Sequence, residues 1–178
     1  MINKNIKEYS LVLFDWDDTL CIHPNHYDKD DYESNKNYDI ASLQGHFGRW
    51  GDQSRPSVLL LCLLQKLSDL GIEVGLFSRC RSYTLMQMKE EWIKAYIPNV
   101  HIENYSIGDG IDKVEYMDAI AEAKELSKES ILLIDNSDDI LSKAEENGFH
   151  SASPIEAAEY AIRYLVDCNA VNSLSTLW

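Results

Sequence analysis

Two carboxylates near the start of the chain have the spacing of a catalytic pair. Asp15 and Asp17 come directly after the apolar run Leu11–Phe14. Two such charges beside a buried strand are costly to place unless a cation binds there. With a cation between them, one carboxylate can attack phosphorus as a nucleophile while the other handles the proton of the leaving group. The alternative is a solvated Asp-rich turn, which is common after strands.

Two further residues, Ser78 and Lys113, could hold a phosphate group. Ser78 ends a second apolar run, and a hydroxyl with backbone N–H groups at a strand-to-helix turn forms a phosphate cradle. A helix cap is the simpler role for such a serine. Lys113 opens a predicted helix, where a positive charge is slightly unfavourable, so its ammonium could instead hold the nucleophile and the phosphate together. The alternative for Lys113 is a solvated surface charge.

A cluster of acidic residues follows the last apolar run of the core. Asp135, Asp138 and Asp139 lie close together in the sequence and repel one another unless a cation or hydrogen-bond donors offset their charge. A hard divalent ion that prefers oxygen ligands would explain the cluster, and magnesium is the commonest such ion in phosphate chemistry. The cluster alone is equally compatible with an acidic helix start that the helix dipole favours.

The elements that must position these residues alternate between strand and helix. The strands are apolar throughout, which indicates a mainly parallel sheet covered on both faces. We therefore predict an α/β fold, a single Rossmann-like three-layer α/β/α domain over residues 1–178. In such a sheet the ligands lie at the carboxyl ends of the strands, where the candidate residues stand. The predicted strands are Leu11–Phe14, Ile72–Phe77, Val100–Tyr105 and Ile131–Ile134, and the predicted helices are Arg55–Leu70, Ser82–Tyr96, Asp112–Leu126, Asp138–Asn147 and Pro154–Val166.

One polar and acidic segment, Cys21–Ser54, interrupts the alternation. A structureless stretch of this length is unusual inside a compact domain, so we interpret it as a small insertion, a minimal cap or lid after the first strand. It is too poor in apolar residues to fold as a separate cap domain, and we expect it to pack near the carboxyl ends of the strands. Its histidines, His23, His26 and His46, could form a metal site with Asp28 or Asp30, which is the less favoured interpretation.

The composition limits the classes of partner. The formal charge of −14 disfavours extended nucleic acid, because such binding depends on Lys and Arg replacing counterions. No apolar run approaches the roughly 20 residues of a membrane span. Four scattered cysteines without a CxxC pair or a visible secretory signal favour reduced thiols and a cytoplasmic location.

Taken in order along the chain, these residues resemble the four motifs of the haloacid dehalogenase (HAD) superfamily. The first motif is DxDx[TV] after an apolar strand, the second is a Ser or Thr that ends a strand, the third is a Lys, and the fourth is an acidic pair after another strand. The matching residues are Asp15, Asp17 and Thr19, then Ser78, then Lys113, and finally Asp135 and Asp139.

The resemblance implies a magnesium-dependent phosphomonoester hydrolase, a HAD-type phosphatase. Asp15 would form an aspartyl-phosphate, and Asp17 would protonate the leaving oxygen and then activate water. Ser78 and Lys113 would hold the oxygens that are not transferred. The implied ligands of Mg²⁺ are Asp15, the backbone carbonyl of Asp17, Asp135 and, directly or through a second layer, Asp139.

The branch of the superfamily stays open from sequence. Dehalogenating members lack the second aspartate, so Asp17 favours phosphoryl chemistry on a small phosphorylated substrate or a phosphopeptide. Asp135-Asn136-Ser137 is similar to the fourth motif of the protein phosphatases that act on the RNA polymerase tail, although Asp18 stands where that branch usually has Glu. A catalytically silent HAD-fold binding protein is another alternative, and it would have no need of Asp17. The order of motifs does not fit a phosphate-accepting signalling domain.

Overall fold

A five-stranded parallel sheet forms the centre of the protein. The computed structural model describes residues 5–23, 54–80, 83–108 and 110–167. Within these residues the sheet order is β5-β4-β1-β6-β7, and every neighbouring pair is parallel. The strands of the sheet are β1 (Leu11–Phe14), β4 (Glu73–Arg79), β5 (Glu103–Ile107), β6 (Ile131–Ile134) and β7 (His150–Ala152), and the short strands β2 (Cys21–Ile22) and β3 (Arg55–Pro56) pair separately.

Helices cover both faces of this sheet, which confirms the predicted three-layer α/β/α architecture. Val12 and Phe14 of β1 belong to an apolar cluster with residues of the first, second and fifth helices. Leu11 and Leu13 point the other way, into a cluster with the third and fourth helices. Because both faces are covered, β1 and β6 are buried at every position. The helices are α1 (Val58–Asp69), α2 (Tyr83–Tyr96), α3 (Lys113–Ala123), α4 (Asp138–Glu146) and α5 (Pro154–Asp167), with single turns of 3₁₀ helix at Ile6–Glu8 and Lys128–Ser130.

The topology places the reversal of strand order between β1 and β6. The chain passes from β1 outward to β4 and β5, and then crosses back to β6 on the other side of β1. In a parallel sheet of this kind, the crevice at the carboxyl ends of the strands beside the reversal is the place where ligands bind. The backbone N–H of Asp15, which follows β1, donates to the carbonyl of Ile134 in β6 at 2.9 Å. The segments after β1 and β6 therefore start side by side.

The start of the first predicted helix was wrong. Arg55 and Pro56 do not begin a helix but pair antiparallel with Ile22 and Cys21, and α1 starts at Val58. A proline is tolerated both in a short edge strand and in the first turn of a helix, so Pro56 does not distinguish a strand from a helix at this position. This ribbon joins the two ends of the insertion. Residues 24–53 of the insertion lie outside the described part of the chain, so the prediction that they form a lid stays a prediction.

Two strands at the edges of the sheet also differ from expectation. The third predicted strand was placed too early: Val100 and Ile102 are buried, but the ladder runs over Glu103–Ile107. An apolar side chain can be buried without its backbone forming strand hydrogen bonds, so the apolar residues here begin earlier in the sequence than the strand does. The strand His150–Ala152 was not predicted, because three residues of mixed polarity at a sheet edge carry no apolar run. The remaining elements lie within a few residues of their predicted bounds.

The described residues contain neither a membrane-spanning helix nor a disulfide. Across residues 5–23, 54–80, 83–108 and 110–167, every helix is too short or too polar to cross a membrane. The cysteines of these residues, Cys21, Cys62 and Cys80, are free thiols.

Candidate active site

The loop after β1 is held by its own backbone. Cys21 N–H donates to the carbonyl of Trp16 at 2.9 Å, and Asp18 N–H donates to the carbonyl of Cys21 at 2.8 Å. Asp18 takes a left-handed conformation with φ of 51°, which an aspartate tolerates better than most residues. The side chain of Trp16 turns inward and is only 2% exposed. The loop therefore fixes Asp15 and Asp17 at the edge of the sheet.

Lys113 joins the first and fourth sequence motifs. Its Nζ donates to Asp15 Oδ1 and to Asp135 Oδ2, at 2.6 Å in each case. All three side chains are buried, with relative exposures of 5%, 9% and 1%. Asp112 caps α3 by accepting from the N–H groups of Val114 and Glu115, so the helix start that carries Lys113 is fixed. Lys113 therefore contacts both Asp15, the residue predicted to be the nucleophile, and Asp135.

The charged groups of this cluster shift one another's pKa values. Burial raises the pKa of Asp15 to about 6; the charge of Lys113 opposes the rise, and the charges of Asp135 and Asp17 add to it. Burial lowers the pKa of Lys113, but the two carboxylates outweigh it and raise the pKa overall. Lys113 is therefore stabilised as a cation, and the negative charge of the Asp15 carboxylate is poorly solvated. A poorly solvated anion of this kind is suited to act as a nucleophile.

Asp17 has a different set of partners. Its Oδ1 lies 2.9 Å from His23 Nε2, and its Oδ2 accepts from Lys89 Nζ at 3.0 Å. His23 Nδ1 in turn lies 2.9 Å from the hydroxyl of Ser54. Burial raises the pKa of Asp17, but Lys89 and His23 outweigh burial and hold that pKa well below its ordinary value. The pKa of Asp15 is thus raised and the pKa of Asp17 lowered, although the two residues are separated by only one position.

Ser78 lies in this second cluster. It is fully buried in β4 and its hydroxyl accepts from Lys89 Nζ at 2.8 Å. The Lys89 ammonium also lies 4.5 Å from the centre of a Trp16 ring. Ser78, Asp17 and Lys89 therefore form one connected group.

Sequence reasoning missed Lys89 and the contact made by His23. A signal for Lys89 exists, because it stands with Met86 and Ile93 on the buried stripe of α2, at a spacing where an apolar residue is expected. A lysine in such a stripe needs an anionic partner inside the fold. The partner of His23 depends on the turn of the loop after β1, which residue types alone do not predict. The other insert histidines, His26 and His46, lie outside the described residues.

The residues fit a divalent cation through two carboxylates. Because Asp15 and Asp135 each lie 2.6 Å from the same nitrogen atom, their bonded oxygens are no further apart than twice that distance. Asp139 is exposed in the first turn of α4, and among the described residues no group of three or more His, Cys, Asp or Glu side chains is arranged to hold a metal. Magnesium is usually held by one or two carboxylates together with waters and substrate phosphate, so this arrangement is sufficient.

A cavity of about 240 Å³ opens beside the start of α3. It is lined by Arg79, Gly110, Ile111 and Asp112. Arg79 follows Ser78 directly and is exposed, so a second anionic group of a substrate could reach its guanidinium from this side.

The chain has the fold of solved HAD-family enzymes. Among solved structures it is similar to a HAD family enzyme from Bacteroides thetaiotaomicron in complex with magnesium and inorganic phosphate, with a TM-score of 0.51 and 13% identity over 82% of this chain and 93% of that one. It is also similar to a HAD-superfamily hydrolase from Ehrlichia chaffeensis, with a TM-score of 0.53 and 16% identity over 87% and 97% of the two chains. Neither a protein-family model nor a curated protein matches the sequence.

We predict that Lys113→Met destabilises the protein strongly when no divalent metal is present. The change leaves Asp15 and Asp135 buried next to each other without a cation, and breaking such a cluster costs about 3 kcal/mol. The free energy of unfolding should be measured by urea denaturation at neutral pH in the presence of a chelator. The matched control is Lys143→Met, which removes an exposed ion pair with Asp112 and should have a much smaller effect. Equal losses in the two variants would contradict the assignment.

Proposed function

We propose that this protein is a magnesium-dependent phosphomonoester hydrolase of the HAD superfamily that works through an aspartyl-phosphate at Asp15. The observation that carries the proposal is the contact of Lys113 with Asp15 and Asp135 at the strand-order reversal. A structural ion pair needs one carboxylate for one lysine, whereas here two buried carboxylates share one. Such a surplus of buried negative charge is expected where a cation binds.

The proposed first step is attack on the phosphorus atom by Asp15. A carboxylate oxygen forms a bond to phosphorus while the bond from phosphorus to the leaving oxygen breaks, and Asp17 gives its proton to that oxygen. Lys113 and the hydroxyl of Ser78 would hold the oxygens that are not transferred. Bound Mg²⁺, held by Asp15, Asp135 and the backbone carbonyl of Asp17, would supply charge neutralisation for the phosphoryl group. The catalysis is thus mainly positioning and charge stabilisation.

The proposed second step is hydrolysis of the aspartyl-phosphate. Asp17 takes a proton from a water molecule whose oxygen attacks phosphorus, and this releases phosphate and restores the Asp15 carboxylate. The lowered pKa of Asp17 makes the ionised form dominant at neutral pH, which is the form that this step requires. The first step requires the protonated form, so a substrate whose leaving group departs as an anion is the least demanding one. For this reason p-nitrophenyl phosphate is a suitable first test substrate.

Asp15→Asn should abolish phosphate release from p-nitrophenyl phosphate with magnesium while the fold persists. The amide lacks the charge to attack phosphorus, and loss of a covalent nucleophile removes nearly all turnover. The matched control is Asp18→Asn, the same chemical change in the same loop at an exposed position whose left-handed conformation asparagine also adopts. Asp18→Asn should keep most of the activity. Wild-type turnover by Asp15→Asn, with deamidation excluded by mass spectrometry, would refute the nucleophile.

Activity should be lost on chelation and restored by magnesium, and Asp135→Asn should raise the magnesium concentration needed for half-maximal activity by at least about tenfold. Asp135 contributes one of the two buried carboxylates, so removing its charge weakens the cation site directly. Magnesium binding should also be followed without substrate, as the rise in the thermal midpoint of unfolding. An Asp135→Asn protein with the magnesium dependence of the wild type would show that Asp135 is no ligand.

The proposed substrate is a small phosphomonoester or a phosphopeptide. The net charge of −14 repels polyanions, and among the described residues the site offers few cations beyond the two buried lysines. We expect kcat/KM to be higher for sugar phosphates, mononucleotides or phosphopeptides than for 3′-phosphorylated oligonucleotides at physiological salt. A strong preference for the oligonucleotides would show that the charge argument is wrong.

A further inference from the structure

Lys89 is a buried lysine to which neither the sequence motifs nor the proposed mechanism assigns a role. It lies on α2 with a relative exposure of 3%. Its neighbours on the buried stripe of that helix are Met86 and Ile93, which pack in the apolar cluster on one face of the sheet. An unpaired ammonium in such a place would be strongly unfavourable, and a leucine or methionine would fill the position at no such penalty. The position of Lys89 therefore calls for an explanation in terms of its partners.

The partners of Lys89 are two of the residues that the proposed reaction uses. Its Nζ lies 3.0 Å from Asp17 Oδ2 and 2.8 Å from Ser78 Oγ. The two residues come from different strand ends, after β1 and within β4, and Lys89 reaches both from a helix on one face of the sheet. Lys89 thus links the candidate acid–base carboxylate to the candidate phosphate-holding hydroxyl.

The chemistry of an ammonium fixes the direction of these hydrogen bonds. A lysine has three N–H donors and no acceptor, so the Ser78 hydroxyl and the Asp17 carboxylate both accept from it. The single hydrogen of the Ser78 hydroxyl is then directed away from Lys89. Its partner in this structure is the side chain of Cys80, a weak acceptor that a phosphoryl oxygen could replace. Asp17 is held at its other oxygen by His23, at 2.9 Å, so its carboxylate is fixed from two sides.

We propose that Lys89 is a positioning residue that fixes the Asp17 carboxylate and the Ser78 hydroxyl relative to each other for phosphoryl transfer. The proposal rests on the function proposed above. In it, Lys113 holds the nucleophile and the metal-binding carboxylate, whereas Lys89 holds the acid–base carboxylate and a phosphate-binding hydroxyl. Lys89 acts through these groups, and because it stabilises Asp17 as a carboxylate, its contribution is greatest in the second step, in which that carboxylate takes a proton from water.

The test compares two leaving groups in Lys89→Met. p-Nitrophenolate departs as an anion, whereas the alkoxide of glycerol 2-phosphate must be protonated as it leaves. We expect kcat for p-nitrophenyl phosphate to fall by about 100-fold, because its good leaving group makes hydrolysis of the aspartyl-phosphate the slow step and general base catalysis is worth about 100-fold or more. We expect kcat for glycerol 2-phosphate, which is limited by the first step, to fall by less than about tenfold. An equal fall in kcat for both would show that Lys89 is merely structural and would overturn the proposal.

The matched control is Lys94→Met on the same helix. Lys94 forms an ion pair with Glu90 and is about half exposed, so its loss should leave both rates near those of the wild type. If Lys89→Met does not fold, as judged by circular dichroism, the same comparison is made with Lys89→Gln, which is neutral and polar. In an Asp17→Asn background, the ratio of kcat for the two substrates should be the same with Lys or Met at position 89. A difference that persists there would also overturn the proposal.

Failure of this inference is distinguishable from failure of the proposed function. A wild-type protein that hydrolyses neither substrate with magnesium, or an Asp15→Asn protein with full activity, would refute the phosphatase itself. An active wild type whose Lys89→Met variant loses both substrates equally would refute the role of Lys89 alone.

Discussion

The contact of Lys113 with two buried carboxylates is the interaction on which the candidate site depends. The sheet topology places the ends of β1 and β6 next to each other, and each strand end delivers an aspartate into the same crevice. Without a cation, Asp15 and Asp135 would repel each other in a region where water cannot screen them. A fold that retains this pair must also supply the charge that neutralises it, and the start of α3 brings Lys113 there.

A second buried lysine, Lys89, neutralises an aspartate two residues further along the same loop, with a different effect on the pKa of that aspartate. Asp17 is flanked by Lys89 and His23, and its pKa is lowered, whereas burial raises the pKa of Asp15 despite Lys113. The two carboxylates are chemically identical, so the difference arises from how much solvent each has lost and how many donors it has gained. Environments that separate the pKa values of neighbouring groups are typical of catalytic pairs with different roles.

The sequence allowed prediction of the parts of this arrangement that depend on local pattern. Apolar runs identified β1 and β6 with their bounds, and the position of Asp15, Ser78 and Asp135 at strand ends follows from those runs. The parts that were missed depend on long-range geometry. Lys89 reaches Asp17 across 72 positions of sequence, and no local pattern specifies which anion a buried lysine meets. The edge strand His150–Ala152 is defined by its pairing with β6 alone, since its residues have no apolar periodicity.

The charges of the site argue for a divalent cation independently of any resemblance. Among the described residues, the site holds the carboxylates of Asp15, Asp17 and Asp135 against the ammonium groups of Lys89 and Lys113. Three negative charges against two positive charges leave one negative charge, within a protein that is itself strongly acidic. A phosphomonoester dianion would be repelled from such a site, and the two lysines are already neutralised by their partners. One bound divalent cation would reverse the sign of the site, so that an anion would be attracted to Asp15, the proposed nucleophile.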